Sequence, residues 1–340
     1  MEFTFPEDKV LEYGILKNFI KTKNSTELID ILTPVRNIIS IDHKEFCFTY
    51  MNDDGKNKGG NSIILKLYES QSIDKNEVNY GVPDLILKIS KYIKTNHPSK
   101  GVLRFNKEIV ALNKCKNAKF QNIILISDSG ICKIYNQTHK YLENHLYYTM
   151  EYAQYDLKSY IEAKHNILKI DEKLNLCISL AEGLKELISL GYYHRDIKPD
   201  NIFISGNVWK IGDLGLMSER NNTEEIDCEA DQIGPRGWMS PEAMNKYLTE
   251  GKGFNYSFNC TIDHQSDIFQ LGKVFWYIFQ HNAPIGIINE SDFEFPNLKI
   301  YTIIQTMLYH SKSKRYKTID EVITLLKDIQ LELLKSGSLV

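Results

Sequence analysis

No run of apolar residues in the 340-residue chain approaches the ~20 that a membrane-spanning helix requires, so a helical membrane span is not expected. An excess of one charge is also missing. The chain has 41 Lys and Arg against 44 Asp and Glu, a formal net charge of −3. Bulk electrostatic binding to nucleic acid or to an anionic membrane surface is therefore not expected. The six cysteines, Cys47, Cys115, Cys132, Cys177, Cys228 and Cys260, include no closely spaced pair of the metal-ligand or redox type. Free thiols in a reducing cytosol, several of them buried, are the expectation. The start, Met1 to Asp8, is acidic and lacks the basic residues and apolar core of a secretion signal, which points to a cytoplasmic chain. Internal repeats and long low-complexity tracts are absent. What is present is 42% hydrophobic residues, enough for a large core as one domain or as two lobes.

The apolar pattern changes along the chain. Residues 7–32 carry apolar positions at helical spacing and end at Thr33-Pro34, which predicts one or two amphipathic helices. Strands are expected at 35–41, 46–51 and 62–68, with the glycine- and asparagine-rich stretch 52–61 as an exposed hairpin loop. Helices are expected over 84–95 and 104–114, then strands near 123–127, 133–135 and 147–151. Beyond Tyr155 the pattern is mainly helical. One helix there has the inner face Leu174, Cys177, Ala181, Leu184 and Leu187, and others follow at 267–279, 298–310 and 319–334. A β-rich first part and a helical second part predict two lobes with a cleft between them.

The densest chemistry lies in His194-Arg195-Asp196-Ile197-Lys198-Pro199-Asp200-Asn201, followed by Asp213-Leu214-Gly215. Acid, cation and amide side chains within eight residues suit phosphoryl transfer. That reaction needs charge neutralised and a hydroxyl aimed, with little covalent work from the protein. A polar turn would also use Pro-Asp-Asn, but it needs neither Lys198 nor the second acid. The run resembles the catalytic loop of eukaryotic-type serine/threonine protein kinases, and Asp213-Leu214-Gly215 resembles their metal-binding triplet.

That resemblance spans about residues 35–334. It implies an α+β, bilobal protein-kinase-like fold, with a small β-rich N-lobe at 35–150, a larger helical C-lobe at 151–340 and a helical extension at 1–34. Its implied cofactors are ATP and Mg²⁺, and its implied partner is a protein substrate. Asp196 would orient the acceptor hydroxyl and Lys198 the γ-phosphate, while Asn201 and Asp213 would bind the metal. Lys66, in Ile63-Ile64-Leu65-Lys66, resembles the lysine that binds the α- and β-phosphates, and Glu108 resembles its acidic partner. Tyr147–Ala153 resembles the hinge strand. Met150 would stand at the back of the adenine pocket, and the backbone of Glu151 and Ala153 would bond the adenine edge. Glu242 with Arg315 resembles the buried ion pair closing the activation segment, and Asp267 the acid that braces the catalytic loop. Lys198, two residues after Asp196, matches the serine/threonine subgroup.

Some positions depart from the family pattern. The expected phosphate loop, Ile41–Glu45, has no glycine, and Gly59-Gly60 stands after the second strand. Ile64 stands where the family usually has alanine, and Pro235 where serine/threonine kinases commonly carry a threonine whose hydroxyl links acid to lysine. These departures support an alternative: a pseudokinase, or nucleotide-sensing module, with weak or no transfer. A third reading, a small-molecule or RNA acceptor, is opposed by Glu242 and Arg315. Arg195 beside the catalytic acid implies an anion in the activation segment. The segment holds Glu224, Glu225, Asp227, Glu229 and Asp231, and one or more of these is expected to take the place of a phosphate; the alternatives are a plain solvated acidic loop and autophosphorylation at Ser218 or Thr223.

Overall fold

A computed structural model describes residues 2–4, 38–41, 44–51, 61–69, 82–136, 141–164, 167–220, 226–227, 232–235, 237–253 and 258–336. The expected helices over 7–32 and the hairpin loop at 52–60 lie outside them. The chain forms two compact units, Met1–Asn113 with Leu125–Tyr152, and Lys114–Ile124 with Ala153–Val340.

The first unit is built on one sheet. Its strands are β1 (Glu2–Thr4), β2 (Ile38–Ile41), β3 (Lys44–Tyr50), β4 (Ser62–Glu69), β5 (Leu85–Ile93), β6 (Ile126–Asn136) and β7 (Tyr141–Glu151). They follow the order β1-β2-β3-β4-β5-β7-β6, and β1 closes the sheet by pairing antiparallel with β2 and parallel with β6. Leu65, Leu67, Leu87 and Ile89 are fully buried on the central strands. Helix α1 (Lys100–Asn117) buries Val102, Phe105, Glu108, Leu112 and Cys115, the three-to-four spacing of a single helical face.

The helix expected over 84–95 is instead strand β5. Ile86 to Ser90 are buried consecutively, because β5 lies between β4 and β7 and is covered on both faces. A short apolar run of that kind has no alternation to distinguish it from a buried helix.

The second unit is helical: α2 (Leu157–Lys164), α3 (Ile170–Ser189), α4 (Pro241–Thr249), α5 (His264–Gln280), α6 (Leu298–Met307) and α7 (Ile319–Lys335). Its strands are short: β8 (Tyr155–Asp156), β9 (Tyr192–Tyr193), β10 (Ile202–Ser205), β11 (Val208–Ile211) and β12 (Ser218–Glu219). Helix α5 is the centre of this unit. Ile268, Leu271, Val274, Phe275 and Ile278 are buried along it. Asp263 caps its N-terminus by accepting the Gln265 N–H at 2.9 Å. Among the described residues no helix is long and apolar enough to cross a membrane.

Gly272 is where α5 meets α6. A Cβ there would stand 2.7 Å from Met307 Cβ and 3.2 Å from Leu308 Cδ2. Both contacts belong to packed side chains with little room to retreat. Gly272→Ala is therefore expected to cost about 1–3 kcal/mol by overpacking. Urea unfolding of the variant measures this; stability equal to wild type would mean that α6 gives way freely.

Candidate active site

In the second unit, β9 delivers the chain into the loop at 194–198, and a single 3₁₀ turn, Pro199–Asn201, returns it to β10. Asp213 follows β11. The Gly212 N–H donates to Asn201 O at 2.9 Å, which ties the two segments together. Asp196 is buried, and Lys198 Nζ donates to both its oxygens, at 3.3 and 3.0 Å. Asn201 Nδ2 donates to the Asp196 carbonyl and to its Oδ2, each at 2.9 Å. The expected residues Asp196, Lys198 and Asn201 are thus one hydrogen-bonded group, and the lysine reaches the acid directly with no hydroxyl at position 235.

Burial sets the electrostatics here. It pushes the Asp196 carboxyl up to about 6 despite the opposing Lys198, and the nearby Asp213 charge adds to the rise. The Asp196 N–H donates to His194 Nδ1 at 3.2 Å, so the ring proton sits on Nε2 and is donated to Gly212 O at 3.0 Å. Burial holds the His194 pKa below its ordinary value, which suits this neutral tautomer. The His194 and Arg195 N–H groups both donate to the Asp267 carboxylate at 2.8 Å. Arg195 and Asp213 hold left-handed backbone conformations, with φ of 67° and 56°.

With Nδ2 committed to Asp196, the Oδ1 of Asn201 is its atom available to a cation, and Asp213 supplies a carboxylate. Among the described residues there is no cluster of three His, Cys, Asp or Glu side chains able to enclose a metal. Two hard oxygen donors suit Mg²⁺, which keeps waters and phosphate oxygens as its remaining ligands.

In the first unit, the expected Lys66–Glu108 pair is corrected. The lysine held by Glu108 is Lys88 on β5, with Nζ 2.9 Å from Oε1, both side chains being buried. The Tyr148 hydroxyl donates to the same oxygen at 2.8 Å, and its ring lies 5.5 Å from Lys88 Nζ. Lys66 stands one strand earlier, opposite Ile86 and Thr49. Ile64-Leu65-Lys66 and Ile86-Leu87-Lys88 are the same triplet, and the signal that separates them is the shorter distance in sequence from Lys88 to Glu108. The correction moves two more positions. The branched residue two before the lysine is Ile86, not Ile64. The two strands preceding β5 are β3 and β4, and the sequence between them contains Gly55, Gly59 and Gly60, whereas the glycine-free stretch 41–45 runs from the end of β2 into β3. Met150, on β7, lies opposite Ile86. The Glu151 carboxylate accepts the Leu125 N–H at 2.9 Å.

A profile of the protein tyrosine and serine/threonine kinase family matches residues 86–327, beginning on the strand that carries Lys88. This chain belongs to that family. A serine/threonine-protein kinase, KSP1, from Saccharomyces cerevisiae is 30% identical over 197 residues, 55% of this chain and 18% of the yeast protein. The bovine eukaryotic translation initiation factor 2-alpha kinase 3 is 30% identical over 167 residues, 42% of this chain and 14% of that protein. The tyrosine-protein kinase transforming protein fms of feline sarcoma virus is 30% identical over 129 residues, 37% of this chain and 12% of its own length. The chain therefore spans less than a fifth of these relatives.

Two further features of this kinase domain belong to the segment after Asp213. Arg315, fully buried, donates to Glu242 and to the carbonyls of Gln265 and His310, at 2.9 and 2.8 Å to the last two. Arg195 Nη2 donates to Asp227 Oδ2 at 2.6 Å, both side chains being nearly inaccessible, and its Nε donates to Leu216 O at 2.6 Å. Of the five acids expected near Arg195, Asp227 is the one within the described residues; Glu224, Glu225, Glu229 and Asp231 lie outside them. Sequence reasoning missed Lys88 and Tyr148.

Lys88→Met leaves Glu108 buried with its cation gone. The cost expected is about 3–5 kcal/mol. Urea unfolding of the variant measures this, and stability within ~1 kcal/mol of wild type would argue against a special role for the Lys88 pair.

Proposed function

We propose that this kinase domain transfers the γ-phosphate of ATP to serine or threonine hydroxyls of protein substrates, and to its own chain. The observation that carries the reading is the bonded group Asp196–Lys198–Asn201. Asp196 orients the acceptor hydroxyl and takes up its proton, and Lys198 neutralises charge on the transferring phosphoryl group. Asn201 and Asp213 would hold magnesium, which would supply positive charge to offset that of the phosphates. Lys88, positioned by Glu108 and Tyr148, takes the α- and β-phosphate role first expected of Lys66. Met150 flanks the adenine, and the main chain of Glu151 and Ala153 bonds its edge.

Lys198 at its two-residue spacing supports a serine/threonine acceptor, although relatives of both acceptor classes are similar to this chain. A cytosolic setting is supported by the free thiols of Cys115, Cys132 and Cys177. Burial pushes all three up, Cys115 to about 12, so they resist ionisation and oxidation. The rival pseudokinase reading draws on Pro235, but direct contact between Lys198 and Asp196 makes a bridging hydroxyl unnecessary.

Because Asp196 must be ionised to accept a proton, kcat/KM for a peptide acceptor should fall about tenfold per pH unit below about pH 6. This loss is not unfolding. Asp196 and Asp267 both have folded values of about 6 against an ordinary 3.8. Between those values the folded chain binds more protons than the unfolded chain, so these two groups add stability as pH falls through 6. Asp196→Asn should lower transfer by roughly 10²–10⁴-fold. A variant within a fewfold of wild type, or a flat acid limb with the fold intact, would defeat the assignment.

Asp227 occupies Arg195 in the manner of a phosphate on the activation segment, so this kinase is active without modification. Protein treated with phosphatase should retain its rate, and Asp227→Asn should lower it about tenfold, the effect of losing ~1.4 kcal/mol of ordering. Complete loss of activity on phosphatase treatment would favour Ser218 or Thr223 as obligatory phosphorylation sites.

A further inference from the structure

Helix α5 contacts the catalytic loop at a second residue, one turn beyond Asp267. Gln270 is buried, and its carboxamide makes two bonds to the loop's main chain. Nε2 donates to the Arg195 carbonyl at 3.2 Å, and Oε1 accepts the Ile197 N–H at 3.1 Å. These two groups flank Asp196 on either side. We propose that Gln270 is a positioning residue for phosphoryl transfer, setting the direction in which the Asp196 carboxylate points. The inference rests on the assignment of Asp196 as the hydroxyl-orienting acid.

The chemistry explains the residue type. One side chain must offer a donor and an acceptor at the same time, and an amide does so from two separate atoms without a charge. The i,i+3 spacing puts Asp267 and Gln270 on one face of α5. Together they engage His194 N–H, Arg195 N–H, Arg195 C=O and Ile197 N–H. That matters because Arg195 is held at φ 67°, a conformation a side-chain-bearing residue leaves unless its neighbours enforce it. The same bond is closed off by Gly234. A Cβ at that position would lie 3.0 Å from Arg195 O and 3.4 Å from Gln270 Nε2, so the bare Cα covers the bond. Gly234 immediately precedes Pro235, where the hydroxyl that could otherwise steady the acid is missing. The Gln270 amide steadies it through the main chain.

The test compares the full chain with Gln270→Met, close in shape and without hydrogen-bonding groups, and with Asp196→Asn as the control. The result expected for Gln270→Met is a kcat lower by roughly 10²-fold, with KM for ATP within about twofold and cooperative unfolding retained. A folded Gln270→Met protein with wild-type kcat, or with KM alone altered, overturns the proposal. If that variant fails to fold, Gln270→Glu decides. Its carboxyl can donate and accept while protonated and only accept once ionised. Its rate relative to wild type at each pH should therefore fall as pH rises. Taking the ratio removes the titrations of Asp196, Asp267 and His194, which both proteins share. A ratio independent of pH overturns the proposal. Activity surviving in Asp196→Asn defeats the catalytic assignment itself, whereas an inactive Asp196→Asn beside a fully active Gln270→Met defeats only the positioning role.

Discussion

Asp267 has no exposed surface, and two main-chain N–H groups of the catalytic loop end on its carboxylate. That contact is the constraint from which the second unit is organised. An acid buried so deeply is costly unless its oxygens are occupied, and here the occupants are the peptide groups that must adopt an unfavourable backbone turn. Each difficulty relieves the other. The acid gains donors, and the left-handed Arg195 gains a fixed place. Downstream of that turn, Asp196, Lys198 and Asn201 bond to one another because the loop already has its shape.

The first unit uses buried charge differently. Lys88, Glu108 and Tyr148 come from a strand, a helix and a second strand, and they meet among aromatic rings. No backbone strain is involved. A pair like this contributes little net stability compared with apolar packing, because desolvation offsets most of its Coulombic attraction. Its worth is in fixing α1 at one register relative to β5.

The catalytic loop was legible in the sequence because its groups lie within eight consecutive residues, and because Asp213 follows at a set distance. The main helices of the second unit were legible through their apolar spacing. Lys88 was not. Its strand is covered on both faces, so it lacks the alternation that marks a strand, and the identical triplet ending at Lys66 stood ahead of it. One wrong choice of strand then displaced Ile64 for Ile86 and put the glycines on the wrong side of the second strand. Gln270 was illegible for another reason. It acts on peptide groups more than seventy residues away, and a main-chain partner leaves no trace in residue identity.

The dependence of the loop on α5 has a consequence for how the molecule comes into being. A nascent chain that has emerged through Asp213 carries every residue proposed for the phosphate chemistry. Without residues 264–280, however, nothing occupies the polar groups that hold Arg195 in its turn. Synthesis proceeds from the N-terminus, so competence arrives as a late event, set by the emergence and packing of a helix that itself contributes no reacting atom. Fragments ending before that helix would hold the proposed chemical inventory without the contacts that shape the loop.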